Sequence, residues 1–191
     1  MSTLDQAFAA AAQLLTRCRE DGALLAAMEK AHALCNVALG QRLPVLVCGN
    51  GGSMADALHL AGELTARFRR DRQGLPVIAL GANPATLTAW SNDVGYASAL
   101  AREVEAYGRP GGVVIGLSTS GNSANVVAAF EAARAGGLAT VALTGEGGGR
   151  LASLADVLLA VPARDTAAIQ QVHLVLYHVL CDRLEADLAG G

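Results

Sequence analysis

His59 and Glu63 stand four residues apart in a segment with helical spacing, so an imidazole and a carboxylate share one helix face. Such a pair can grip a metal ion or move protons on one substrate, and the same spacing also makes an ordinary solvated ion pair. What precedes it adds weight. The run Gly49-Asn50-Gly51-Gly52-Ser53 lets the backbone turn sharply and present its N–H groups at the start of the following helix, an arrangement that attracts phosphate. A second loop, Ser118-Thr119-Ser120-Gly121-Asn122-Ser123, sets four hydroxyls ahead of a helix expected from near Ala124. Hydroxyls and free N–H groups donate to phosphate oxygens without burying a lysine, and the helix dipole adds attraction. One serine there needs no more than a capping role; four together favour an anion. Neither loop is a P-loop or a GxGxxG fingerprint, which disfavours a nucleotide cofactor. The glycines of Gly145 to Gly149 are expected to serve turn geometry.

The last helical segment, from near Asp165-Thr166, carries Gln170, His173 and His178 among apolar neighbours. Gln170 and His178 are about 80° apart around a helix and can address one region, while His173 points about 140° away from His178 and reads as structural. Periodicity leaves two readings of His178, a ligand or a core histidine bonded to a carbonyl, and Gln170 is equally open.

These residues need a frame. Apolar runs at Val45 to Cys48, Val77 to Leu80, Val113 to Leu117, Thr140 to Leu143 and Val157 to Val161 alternate with helical segments, which predicts a five-stranded parallel sheet covered on both faces. Doubly wound sheets of this α/β class bind ligands at the carboxyl ends of their strands, where the two phosphate-friendly loops fall. Before the first strand, Thr3 and Gln6 form a capping-box signal for one or two N-terminal helices, with a break near Asp21-Gly22.

With 191 residues, the chain suits one domain, 1–191, whose first 40 residues form a helical segment packing on the rest. Its composition is 52% hydrophobic and 16% charged, with one Trp, three Tyr and three Phe, which fits close helix packing and further apolar burial between subunits. A net charge of −3 without a basic stripe excludes the footprint of a general nucleic-acid binder. Four scattered cysteines without CxxC spacing read as reduced core thiols. No signal-like start or membrane-length apolar run is present, so a cytoplasmic protein is expected, with no membrane partner.

GNGGS-x-x-D-A-x-H-x-x-x-E at 49–63, Asn92-Asp93, STSGNS at 118–123, LTG at 143–145 and I-Q-x-x-H-x-x-x-x-H at 169–178 together resemble the sugar isomerase (SIS) domain family, nearly end to end. Within it the likeness is to the phosphoheptose isomerases, which interconvert sedoheptulose 7-phosphate and D-glycero-D-manno-heptose 7-phosphate early in ADP- or GDP-heptose biosynthesis for lipopolysaccharide or capsule. The resemblance implies that Asn50, Gly51, Gly52, Ser118, Thr119, Ser120 and Ser123 hold substrate. It places Ser53 near the phosphate, and Asn92 and Asp93 near the sugar hydroxyls. It implies one zinc per subunit on His59, Glu63, Gln170 and His178, with Glu63 the base at carbon and His178 assisting at oxygen. It further implies a homotetramer with shared active sites and N-terminal helices against neighbouring subunits.

The chain departs from many relatives at Ala168 and Gln171, which bears on contacts to the distal sugar hydroxyls, and Trp90 stands two residues before Asn92 as packing or pocket wall. Competing readings are an isomerase of another sugar phosphate, such as arabinose 5-phosphate, and a non-catalytic SIS protein that binds the replication initiator. The latter relatives lack the acid and histidine that Glu63 and His178 supply. A sugar-phosphate sensor of transcription ranks last, since the first 40 residues carry too few basic groups for a DNA-binding module.

Overall fold

The five apolar runs pair as one all-parallel sheet in the order β2-β1-β3-β4-β5, in a computed structural model that describes residues 3–189. The remaining residues of the expected 1–191 span lie outside the described ones. The strands are β1 (Val45–Cys48), β2 (Val77–Ala79), β3 (Val113–Ser118), β4 (Ala139–Thr144) and β5 (Val157–Ala160). Their ends differ from the apolar runs because ladder bonds, not hydropathy, terminate a strand. Polar Ser118 and Thr144 pair in register at the carboxyl edge, while Leu80 and Val161 fall just outside.

Helices α1 (Leu4–Glu20) and α2 (Gly22–Gly40) are separated at Asp21, whose carboxylate accepts the N–H groups of Ala23 and Leu24. The Thr3–Gln6 capping box forms at the start of α1. The others are α3 (Gly52–Thr65), α4 (Pro84–Asp93), α5 (Ala99–Tyr107), α6 (Ala124–Ala135) and α7 (Thr166–Leu188), with short 3-10 turns at Tyr96–Ser98 and Gly149–Ser153.

Strand alternation sorts the core into two layers. Val45, Val47, Val113, Ile115, Val141 and Leu143 pack with α1, α2, α3 and α7, whereas Leu46, Cys48, Val114 and Ala142 pack with α5 and α6. The chain therefore leaves β1 for one face and its neighbour β3 for the other, which opens a crevice at their carboxyl ends, the place where doubly wound sheets bind ligands. All four cysteines are free and buried, and burial pushes the Cys35, Cys48 and Cys181 thiols up to about 12. Among the described residues, no helix is long and apolar enough to cross a membrane.

Candidate active site

Both helices that start at the β1/β3 crevice lack a side-chain cap: Gly51 precedes α3 and Ser123 precedes α6. By contrast Thr3, Asp21, Asn83 and Asp165 cap α1, α2, α4 and α7, while α5, also without a side-chain cap, continues directly from the Tyr96–Ser98 turn. Ser123 turns its hydroxyl to Ser118 Oγ, 3.0 Å away, instead of to its own helix. The crevice thus gathers uncapped helix N-termini and hydroxyls, a combination suited to an anion.

The two loops are tied together. Asn50 and Asn125 exchange side-chain amide bonds of 2.8 Å in both directions, and the Tyr96 hydroxyl donates to Asn50 Oδ1. Ser120 Oγ accepts the Asn122 N–H, and Thr119 Oγ1 lies 3.4 Å from Thr166 Oγ1. At Gly121, with φ +66°, a Cβ would fall 1.9 Å from the Gly148 carbonyl oxygen, so the later glycine-rich loop buttresses the hydroxyl loop. Asn125 and Tyr96 carry no catalytic signature in sequence and become visible only through this network.

Helices α3 and α7 lie side by side and run the same way. Gly52 faces Gln170, His59 faces Tyr177 and His178, and the segment after α3 meets Asp182 and Glu185. Side chains from distant parts of the chain therefore converge. Ligand atoms of His59, Glu63 and His178 all lie within 4.8 Å of one another, with His59 Nε2 2.9 Å from Glu63 Oε1. The rings of His59 and His178 meet edge to face at 5.0 Å. Burial, with His59 and Arg69 adding to it and Glu63 opposing, holds the His178 imidazole below its usual value, which favours the neutral ring. Its buried Nε2 has no hydrogen-bond partner. A neutral imidazole with a free nitrogen beside a second imidazole and a carboxylate fits a divalent cation of zinc type.

Gln170 stands at the other end of this contact. Its amide donates to Ser53 Oγ at 3.3 Å and lies against Gly52, where a Cβ would approach the amide nitrogen to 2.7 Å. Ser53 and Ser118 are both only 4% exposed. His173 is fully buried, with Nε2 3.3 Å from the Thr144 carbonyl, and burial drops it to about 4, in keeping with the structural role read from its helical angle.

The segment after α3 covers the cluster. Phe68 stacks on His178 at 5.4 Å, and Glu185, wholly buried on α7, accepts the N–H groups of Phe68, Arg69 and Arg70 at 2.6–2.8 Å. Arg72 joins Glu185 at 3.3 Å and donates to the Glu63 carbonyl at 3.0 Å. Sequence reasoning missed this strap, because an acid in the last turns of a helix looks like a solvated residue.

Asn92 and Asp93 end α4 exposed and bonded to each other at 2.9 Å. Trp90 packs away from them, its indole N–H donating to Ser98 Oγ and its ring lying under Arg102. Ala168 and the exposed Gln171 line an open groove between α1 and the start of α7.

Residues 6–145 match the SIS domain family. A phosphoheptose isomerase of Roseiflexus sp. strain RS-1 is 56% identical over 144 residues, 75% of this chain and 73% of the relative. One from Burkholderia pseudomallei strain 1710b is 43% identical over 190 residues, 100% of this chain and 96% of the relative. The solved structure of a phosphoheptose isomerase from Francisella tularensis superposes with a TM-score of 0.91 at 34% identity, covering 97% of this chain and 100% of that one. An uncapped anion crevice, a His/Glu/His cluster and this degree of likeness together show that the chain belongs to the SIS-domain family and, within it, to the phosphoheptose isomerases.

Proposed function

We propose that this isomerase interconverts sedoheptulose 7-phosphate and D-glycero-D-manno-heptose 7-phosphate through an enediol, with Glu63 moving the proton between C1 and C2. The observation that carries the reading is the convergence of His59, Glu63 and His178. Aldose–ketose interconversion needs a base at carbon and a second group at the oxygens. Glu63 is half-buried with a carboxylate oxygen in the cluster, and His178 keeps a free nitrogen for ring opening or proton movement at oxygen. Ser53, Ser118, Thr119, Ser120 and Ser123, with Asn50, Gly51 and Gly52, receive the phosphate end, and Asn92 and Asp93 the sugar hydroxyls. Zinc, one per subunit, would be held by His59, Glu63 and His178, with Gln170 as a fourth ligand reaching from a neighbouring subunit, since within the chain it lies against Gly52 and Ser53. When bound it would supply Lewis-acid stabilisation to the charge developing on the substrate oxygens.

The reading extends to a homotetramer with shared active sites. Glu63 lies eleven residues along α3 from Gly52, about 16 Å of helix rise. A heptose phosphate is on the order of 10 Å from C1 to phosphorus at ordinary bond lengths, which favours a phosphate loop from a neighbouring subunit. Exposed Leu15, Leu25, Val175 and Val179 form an apolar face on α1, α2 and α7 of the kind that subunits bury. We read residues 1–191 as one domain in the cytoplasm, consistent with free thiols and a phosphorylated metabolite as substrate.

Glu63→Gln preserves shape and removes the base. We expect the variant to bind sedoheptulose 7-phosphate in calorimetry while isomerisation and solvent-deuterium exchange at C1 or C2 fall by at least ~100-fold. Undiminished exchange in a folded variant removes Glu63 from the role.

A further inference from the structure

Tyr177 is 1% exposed and precedes His178 on α7, with its ring edge-on to His59 at 5.5 Å and to His178 at 4.9 Å. Its hydroxyl lies 2.9 Å from His59 Nδ1 and 3.4 Å from Asp56 Oδ1. Asp56 and His59 are three residues apart on α3, so both side chains face α7 from one stripe and the phenol sits between them. A buried phenol has one proton to give and an oxygen that can accept, whereas an ionised carboxylate only accepts. One assignment gives Asp56, the phenol and Nδ1 each a partner: Tyr177 gives its proton to Asp56 and its oxygen accepts the N–H of His59 Nδ1. It leaves the Nε2 lone pair toward the Glu63 carboxylate, an arrangement that a cation between them would satisfy. The remaining ring nitrogen, Nε2, is the one that faces Glu63.

We propose that Tyr177, with Asp56 behind it, is a positioning residue that fixes the ring orientation and Nδ1 protonation of His59, so that Nε2 is presented to Glu63 and His178. The proposal rests on the reading of His59 as a metal ligand, because a ligating imidazole is held by what its other nitrogen donates to. Neither Tyr177 nor Asp56 reaches the cluster as a ligand; both act through His59. The arrangement was hidden in sequence, since a tyrosine in an apolar helix stripe reads as core.

Tyr177→Phe removes one oxygen and keeps the ring packing, so we expect the fold to be retained, which thermal unfolding checks. In competition with a chromophoric chelator, we expect zinc affinity to fall about 10-fold or more in Tyr177→Phe and in Asp56→Asn. The double variant should be no weaker than Tyr177→Phe alone, because Asp56 acts through the phenol. Zinc affinity equal to wild type in Tyr177→Phe, or fully additive losses, overturns the proposal. A second readout is independent of zinc. In metal-free protein labelled with ¹⁵N-histidine, His59 Nδ1 is expected to show the shift of a protonated nitrogen, and to lose it in Tyr177→Phe. A wild-type His59 protonated at Nε2 alone overturns the proposal whether or not zinc binds. A wild type that binds no zinc refutes the metal reading instead, and the nitrogen shifts then decide the role of Tyr177.

Discussion

Replacing Glu185 with Gln tests whether the strap after α3 is held by charge. Oε2 accepts from Arg69 and Arg70 at 2.6 and 2.8 Å, while Oε1 accepts from Phe68 at 2.8 Å and faces the Arg72 guanidinium at 3.3 Å. A glutamine amide best keeps its oxygen on Arg69 and Arg70, which turns its NH₂ toward the Phe68 N–H and Arg72. That loses one charge-assisted bond, about 1.5–3 kcal/mol, and leaves a guanidinium with only 2% side-chain exposure without its counter-charge. Breaking a buried pair from one side typically costs about 3–5 kcal/mol, and since the two terms overlap we expect that range for Glu185→Gln in urea denaturation. Isomerase rate should fall as well, because Phe68 rides on this strap and stacks on His178. The pH dependence gives a second handle. Burial by itself would raise the Glu185 carboxyl, but the three N–H groups and Arg72 outweigh it and hold it below the ordinary value. A depressed folded value stabilises above the unfolded carboxylate range, about 4.3, and that stabilisation is lost as pH falls through the folded value. The gap between wild type and Glu185→Gln should therefore narrow on acidification below about pH 4.3. A loss under about 1 kcal/mol at neutral pH, or a gap that widens with acid, refutes the reasoning.

Gly52→Ala adds a methyl where Gln170 approaches to 2.7 Å, yet the backbone there is the first turn of α3 without a positive φ, and what the methyl meets is the movable end of a side chain. We expect unchanged or raised thermal stability with isomerase kcat/KM reduced about tenfold or more; wild-type kinetics would show that the Gln170 position is immaterial. Protein purified without chelator should carry zinc that His178→Ala loses together with activity, whereas full activity after exhaustive chelation would leave Glu63 and His178 as a metal-free pair.

Much was legible in sequence because it is written in local pattern. The alternation of short apolar runs with helices sets an all-parallel covered sheet, since strands buried on both faces must be apolar throughout. The glycine and hydroxyl loops are legible at strand ends because small residues there free backbone N–H groups and hydroxyls at helix starts, and the His59/Glu63 pair follows from the helical repeat. The tertiary structure alone decided which pieces meet. The strand order puts β1 beside β3 and so brings Asn50 to Asn125; no sequence period encodes that neighbour relation. The parallel docking of α3 on α7 sets His178 beside His59 and Glu63, more than 100 positions earlier, and puts Gln170 on the same helix beside Ser53. It also gave Tyr177, Asp56 and Glu185 their partners. Helical periodicity reports which face of a helix is apolar, but the partner across that face, and hence whether a buried polar side chain is a structural bond or part of a site, is fixed only by packing.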